Sequence, residues 1–175
     1  MGMGVGKRLR IIARALLVLF AFARPHAARA RLPAGSTARE ARAFADSIYR
    51  THFRAGQGFS LATLRATRPW FTPQLYALLL HDMDRTPDRG DIGYLDADPF
   101  TNAQDDADTF TVGKAVSAHD TLMVNVTIRF GPSYSPEDQT GRVTLAVLRL
   151  GGRWRIADFV YPSGSLAAAL RAHPE

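Results

Sequence analysis

The stretch RVTLAVLRLGGRWRIADFVY, residues 142–161, decides the fold. Two runs rich in β-branched, aliphatic and aromatic residues, Arg142–Leu150 and Arg153–Tyr161, flank Gly151-Gly152. A glycine pair between two such runs is typical of a two-residue hairpin turn. Setting the end of the first run opposite the start of the second pairs Val143 with Val160, Leu145 with Asp158, Val147 with Ile156, and Arg149 with Trp154. The sequence therefore predicts an antiparallel hairpin near the end of the chain.

Two more strands are predicted before this hairpin. In Thr121–Phe130 apolar residues occupy every second position, which is typical of a strand with one buried face. Its inward positions are Leu122, Val124, Val126, Ile128 and Phe130. Thr109–Ala118 is predicted as a strand beside it. Together with the hairpin, these segments predict an antiparallel sheet of about four strands.

Helical patterns precede the strands. Apolar residues recur at helical spacing at Ala41, Phe44, Ala45, Ile48 and His52, and Thr37 with Glu40 matches a capping box that would open this helix. Thr72-Pro73 matches an N-cap followed by proline at the first helical position. Further short helices are predicted at Ser60–Thr67, Gln74–Met83 and Ser163–Ala172. Helices followed by strands predict an α+β domain with helices packed on one face of a curved antiparallel sheet and a short C-terminal helix.

The charge is unevenly distributed. The chain has 175 residues, with 22 Lys and Arg against 16 Asp and Glu, and a formal net charge of +6. Residues 1–30 hold six basic residues and no acidic one, so residues 31–175 are electrically neutral overall. The basic excess therefore does not indicate nucleic-acid binding. The chain has no cysteine, which excludes disulfides, thiolate metal sites, cysteine nucleophiles and a lipid-modified cysteine.

The N-terminal segment has the pattern of a bacterial export signal. A basic start, Met1–Arg10, precedes the apolar run Ala15–Ala23, and Ala28-Arg29-Ala30 offers small residues for a signal peptidase. The apolar run has nine residues, fewer than the ~20 that cross a bilayer. We therefore predict a signal peptide over residues 1–30 and a single α+β domain over 31–175 in the periplasm or outside the cell. The alternatives are an uncleaved signal that anchors the protein to the membrane, an amphipathic helix on the membrane surface, and a disordered basic tail.

Three local patterns together resemble a known family. They are FTPQLYALL at residues 71–79, DPFTNAQD at residues 98–105, and WRIADFVY at residues 154–161 followed by Gly164-Ser165-Leu166. Over about residues 40–172 the chain resembles the family catalogued as domain of unknown function 3828, in the nuclear transport factor 2-like superfamily. The resemblance implies a cone of helices on a bent sheet and an exported bacterial protein, and it brings no established reaction. Some relatives are lipoproteins, which a chain without cysteine does not match.

A long acidic connection supplies candidate binding residues. Residues 81–110 contain nine Asp and two Arg, and Asp-Pro at 98–99 is expected to form a rigid turn with Phe100 in the core. The candidate binding residues here are Asp98, Asn102, Gln104 and Asp105. Clustered oxygens could alternatively hold Ca²⁺, with Asp96, Asp98, Asp105 and Asp106 as ligands, although the helix-loop-helix calcium spacing is missing. The remaining interpretations are a solvated loop whose side chains bond nearby amides and a surface that recognises a partner.

Asp158 is the candidate catalytic residue. The predicted register places its carboxylate on the apolar face of its strand, where it requires a partner or a proton. Arg129 or Arg149 could pair with it. Carboxylates that project into the cone act as general bases in enzymes of the fold that the chain resembles, so the resemblance implies that role for Asp158. Arg129, Arg149, Trp154 and Tyr161 complete the candidate binding residues, and the alternative is a structural Asp bonded to an Arg or to loop amides.

The function predicted from these features is a non-enzymatic binding or accessory module of the bacterial envelope. The sequence has no zinc-ligand spacing, serine elbow or phosphate loop, so we predict no cofactor and no metal. The expected partner is an envelope protein or a small ligand, with no nucleic acid, and a homodimer could form through the second face of Arg142–Leu150. The alternative is a small hydrolase, isomerase or dehydratase with a pocket and Asp158 as general base.

Overall fold

The computed structural model describes residues 34–84 and 94–173. The predicted export signal and part of the acidic connection lie outside these residues. The helices are α1 (Ala34–Arg54), α2 (Leu61–Ala66), α3 (Pro73–Asp84) and α4 (Leu166–Ala172), and the strands are β1 (Thr109–Ala118), β2 (Thr121–Arg129), β3 (Thr140–Leu150), β4 (Arg153–Tyr161) and β5 (Gly164–Ser165). The predicted α+β class, with helices before the sheet and a short helix at the end, is confirmed.

All five strands form one antiparallel sheet in the order β1-β2-β3-β4-β5. The prediction of about four strands misses β5, which has only two residues and pairs with the end of β4. Gly164 has a φ of 135°, a backbone conformation that residues with a side chain rarely adopt. A two-residue strand is too short to show the alternation that identified the others.

A β-bulge corrects the predicted hairpin register. Leu150 pairs with Arg153 and Val147 with Ile156 as predicted, but the register then shifts by one residue, so that Leu145 pairs with Phe159. The predicted pairs Leu145 with Asp158 and Val143 with Val160 are therefore wrong. The extra residue is on β4, and such an insertion reverses the face on which later side chains lie.

The hydrophobic core lies between the helices and one face of the sheet. The even positions of β2 from Val124 to Ile128 are fully buried, as the alternation predicts. The helices contribute Ala41, Ala45, Ile48, Tyr49, Leu64, Leu75 and Leu79 to the same cluster. Phe100, which comes from the acidic connection, is also fully buried, so this segment is anchored in the core as the sequence predicts.

The starts of α2 and α3 follow local capping chemistry, whereas the cap predicted for α1 does not form. The amide of Thr63 donates to the Ser60 hydroxyl at the start of α2, and the amide of Leu75 donates to Thr72 ahead of Pro73. The predicted capping box at Thr37 is wrong, because α1 begins at Ala34 and Thr37 lies inside the helix. Within the part of the chain described here, no helix has the length and apolarity needed to cross a membrane.

Candidate ligand-binding site

The Asp98 turn, residues 98–103, is held by its first side chain. The buried carboxylate of Asp98 accepts hydrogen bonds from the amides of Phe100 at 2.9 Å and Gly58 at 3.2 Å, and its Oδ2 lies 2.6 Å from Nε2 of the buried His52. The Asp98 amide donates to the Ala103 carbonyl at 3.0 Å. Asp98, predicted as a binding residue, therefore stabilises the turn through hydrogen bonds of its buried carboxylate.

Two tyrosines, one on α1 and one on β4, also donate hydrogen bonds to the Asp98 turn. Tyr49 on α1 donates its hydroxyl to the Phe100 carbonyl at 2.8 Å, and Tyr161 on β4 donates to the Pro99 carbonyl at 3.1 Å. Burial, followed by neighbouring groups that include Asp98, raises the pKa of both phenols above the usual 10.0. Both phenols therefore keep their protons, and remain hydrogen-bond donors, to a higher pH than an unburied tyrosine does.

A cavity of about 560 Å³ opens between the Asp98 turn and the adjoining end of the sheet. It lies where β2 ends and β3 begins, beside the loop that connects these strands. Its polar lining includes Thr101, Asn102, Thr127, Asp138, Thr140 and Arg142. Phe130, Tyr134 and Pro162 provide ring surfaces in the same lining. The volume lies within the range typical of small-molecule sites.

Several of these polar groups are not used by the fold. Thr101 is buried, and its hydroxyl has no hydrogen-bond partner among the described residues. Among the described residues, the side chains of Arg142 and Asn102 form neither a hydrogen bond nor an ion pair. Asn102 adopts a φ of 55°, which Asn tolerates better than most residues. The cavity thus presents hydrogen-bonding capacity that a ligand could use.

The loop between β2 and β3 forms a structured rim. The amide of Phe130 donates to the Gln139 carbonyl at 3.0 Å, and the rings of Phe130 and Tyr134 lie 5.1 Å apart. Tyr134 donates its hydroxyl to Oδ2 of Asp105 at 2.6 Å, and this hydrogen bond is the main cause that raises the pKa of Tyr134 to about 12. Asp105 thereby connects the acidic connection to the rim.

The structure brings together only some of the predicted binding residues. Asn102 lines the cavity, Asp105 lies at its rim through Tyr134, and Asp98 and Tyr161 support the turn. Gln104 is exposed. Arg129 is exposed and pairs in register with Thr140 of the lining.

Two predicted binding residues lie at the opposite end of the sheet. Arg149 stacks over the Trp154 ring at 5.2 Å beside the glycine turn, and it forms a 2.8 Å ion pair with Glu40 of α1. The Trp154 indole nitrogen is buried and has no hydrogen-bond partner within the described part of the chain. These contacts join α1 to the hairpin, so they contribute to packing rather than to the cavity.

Asp158 has a different environment from the predicted one. The bulge places it on the face opposite Phe159, where its Oδ2 accepts from the Ser165 hydroxyl at 2.5 Å and its Oδ1 from the Ala167 amide at 2.9 Å. It does not pair with Arg129 or Arg149, and it does not line the cavity. Asp158 therefore holds the start of α4, and the expected position on the apolar face is wrong.

The described residues assemble no metal centre. Across residues 34–84 and 94–173, no group of three or more His, Asp or Glu side chains is placed to hold a metal ion. Asp98 bonds to His52 inside the core, whereas Asp105 bonds to Tyr134 at the surface. The alternative calcium site at Asp96, Asp98, Asp105 and Asp106 is not formed by these residues.

Sequence reasoning did not identify His52, Thr101, Tyr134 and Arg142 as site residues. The position of His52 on the apolar stripe of α1 could have indicated a buried polar contact, because a buried histidine requires a hydrogen-bond partner. Tyr134 and Arg142 lie in a loop and at a strand start, where no pattern shows which side chains converge.

Comparison with known proteins gives one relative of unknown function. No family model matches the chain, and no solved structure matches it. The chain is similar to the uncharacterized protein YqhG of Escherichia coli (strain K12), with 32% identity over 99 residues. The match covers 57% of this chain and 31% of YqhG, so the chain corresponds to less than a third of that relative.

Proposed function

We propose that this protein is an exported, non-enzymatic binding module of the bacterial envelope that takes a small polar ligand into the cavity beside the Asp98 turn. The observation that carries the proposal is the cavity itself, which combines unused polar groups with aromatic surface. Its lining includes Thr101 and Asn102, which belong to the DPFTNAQD element on which the family resemblance chiefly depends.

Preorganisation supports a binding role. The turn that forms one wall is held by Asp98, Tyr49 and Tyr161, and the rim is held by the Tyr134–Asp105 hydrogen bond. A rigid wall binds a ligand with little loss of conformational entropy. The engagement of Asp158 in holding α4 favours binding over catalysis, because both carboxylate oxygens already accept hydrogen bonds.

The nuclear transport factor 2-like fold is proposed from the family resemblance together with the order of helices and antiparallel sheet. Export is proposed from the pattern in residues 1–30. Expression of the full chain in a bacterial host, followed by N-terminal sequencing of the periplasmic protein, tests export. We expect a mature protein that begins at Arg31. Full-length protein confined to the cytoplasm would refute it.

The binding part is tested with the small-molecule fraction of a periplasmic extract, added to purified protein in a thermal-shift assay. Thr140 is exposed and lines the cavity, so Thr140→Trp should fill the cavity without disturbing the core. Ser117 is exposed on β1 and pairs with Leu122 away from the cavity, so Ser117→Trp is the matched control. We expect the extract to raise the melting temperature of the wild type and of Ser117→Trp but not of Thr140→Trp. Equal shifts in all three proteins would refute binding in the cavity.

A further inference from the structure

Two opposite charges lie on the wall of the same cavity without pairing. Arg142 and Asp138 both line it, and neither forms an ion pair with another described residue. They are four residues apart in the chain, so their Cα atoms are separated by at most about 14 Å. Each charge can therefore interact with a different end of one small molecule.

The two groups have free bonding capacity of opposite kinds. The guanidinium of Arg142 offers donors in the planar arrangement that fits a carboxylate. In Asp138, Oδ2 accepts a hydrogen bond from the Ser135 hydroxyl at 2.7 Å, which leaves Oδ1 for another donor. The amide of Asp138 donates to the Ser135 carbonyl at 2.9 Å, so this carboxylate is held at the rim by its own turn.

We propose that the cavity binds a zwitterion of the α-amino acid type, with the ligand carboxylate at Arg142 and the ligand ammonium at Asp138. This inference depends on the proposed binding function and names its ligand class. Hydroxyls of Thr101, Thr127 and Thr140 provide neutral hydrogen bonds, and the Phe130 and Tyr134 rings provide apolar contact for a side chain. A doubly charged phosphate fits less well, because Asp138, with Asp105 behind Tyr134, would repel it.

The proposal is tested by calorimetric titration of the purified protein with four probes. The probes are L-phenylalanine, N-acetyl-L-phenylalanine, which lacks the ammonium, L-phenylalanine amide, which lacks the carboxylate, and inorganic phosphate. We expect L-phenylalanine to bind best, and each blocked form to bind roughly 10- to 100-fold more weakly, because each loses one charge-assisted contact. Equal affinity for the parent and both blocked forms, or tighter binding of phosphate, would overturn the proposal.

Charge-removing variants assign the two ends of the ligand. Arg142→Gln should weaken L-phenylalanine and its N-acetyl form but leave the amide unchanged, and Asp138→Asn should weaken L-phenylalanine and the amide but leave the N-acetyl form unchanged. Arg153→Gln and Asp106→Asn are matched controls, because both residues are exposed and neither lines the cavity. A variant that weakens all probes equally would contradict the assignment.

The outcome also separates this inference from the proposed function. If no zwitterion binds while the periplasmic fraction still stabilises the wild type and not Thr140→Trp, the ligand class is wrong and the binding module stands. If no zwitterion binds and the periplasmic fraction does not stabilise the wild type, both the ligand class and the binding function are refuted.

Discussion

Replacing Asp98 with alanine tests whether the buried carboxylate holds the turn beside the cavity. The substitution removes the acceptor of the Phe100 amide at 2.9 Å and the partner of His52 Nε2 at 2.6 Å, both of which are buried. The Gly58 amide at 3.2 Å also loses its acceptor, but Gly58 is exposed and water can replace the carboxylate there. Two buried groups are therefore left without a partner.

The expected loss follows from these two groups. Each buried polar group left without a hydrogen-bond partner costs about 1–3 kcal/mol. With two such groups, the free energy of unfolding should fall by about 2–6 kcal/mol. For a domain of this size the melting temperature should fall by roughly 4–24 °C.

Urea denaturation followed by tryptophan fluorescence measures this loss as a lower midpoint with an unchanged m-value. Asp106→Ala is the matched control, because Asp106 is exposed in the same connection and its loss should change stability by less than about 0.5 kcal/mol. Asp98→Asn should recover part of the loss, since it retains one oxygen for the Phe100 amide. If Asp98→Ala unfolds at the same urea concentration as Asp106→Ala, the carboxylate does not hold the turn.

Three further predictions concern the tyrosines and Asp158. The pKa values of Tyr49 and Tyr161 are raised above the usual 10.0 in the folded protein, so above pH 10 the unfolded chain loses protons that the folded chain retains, and the free energy of unfolding should fall as the pH rises above 10. In urea titrations at increasing pH, Tyr161→Phe should reduce this decline. A urea midpoint of the wild type that does not change above pH 10 would contradict the prediction. The pKa of Tyr134 is raised to about 12, chiefly by its hydrogen bond to Asp105, so Asp105→Asn should lower it in a titration followed by tyrosinate absorbance, and an unchanged curve would show that the hydrogen bond is absent. Asp158→Ala removes two hydrogen-bond acceptors at the start of α4 and should destabilise the domain by about 1–2 kcal/mol, comparable with loss of a helix cap. Amide hydrogen exchange should then increase more in α4 than in the rest of the domain. An equal increase throughout the domain would contradict this role.

Much of the fold was accessible from local patterns. The period-two alternation of Thr121–Phe130 identified a strand that ends at Arg129, and Gly151-Gly152 located the hairpin turn. The cap at Thr72 was predicted correctly, because capping depends on residues within one turn of each other. Pattern reasoning failed at Thr37, where the helix extended past a sequence that also fits a cap.

The site could be predicted only in part, because its residues come from distant segments. DPFTNAQD indicated the correct turn, and Asn102 lines the cavity. The role of Asp158 depended on the hairpin register, and a single bulged residue reversed its face. A bulge is a property of the pairing between two strands, so the composition of one strand does not show where it forms.

The sequence by itself determined the class of the domain, the places where its strands turn, and the uneven distribution of its charge, because these depend on residues close together in the chain. Only the tertiary structure decided which polar groups became buried and which stayed available. His52 and Asp98, 46 residues apart, satisfy one another in the core, whereas Arg142 and Asp138, four residues apart, line one cavity unpaired. Burial makes an unpartnered polar group costly, so long-range packing, rather than residue type, separates the groups that stabilise the fold from those left for a ligand.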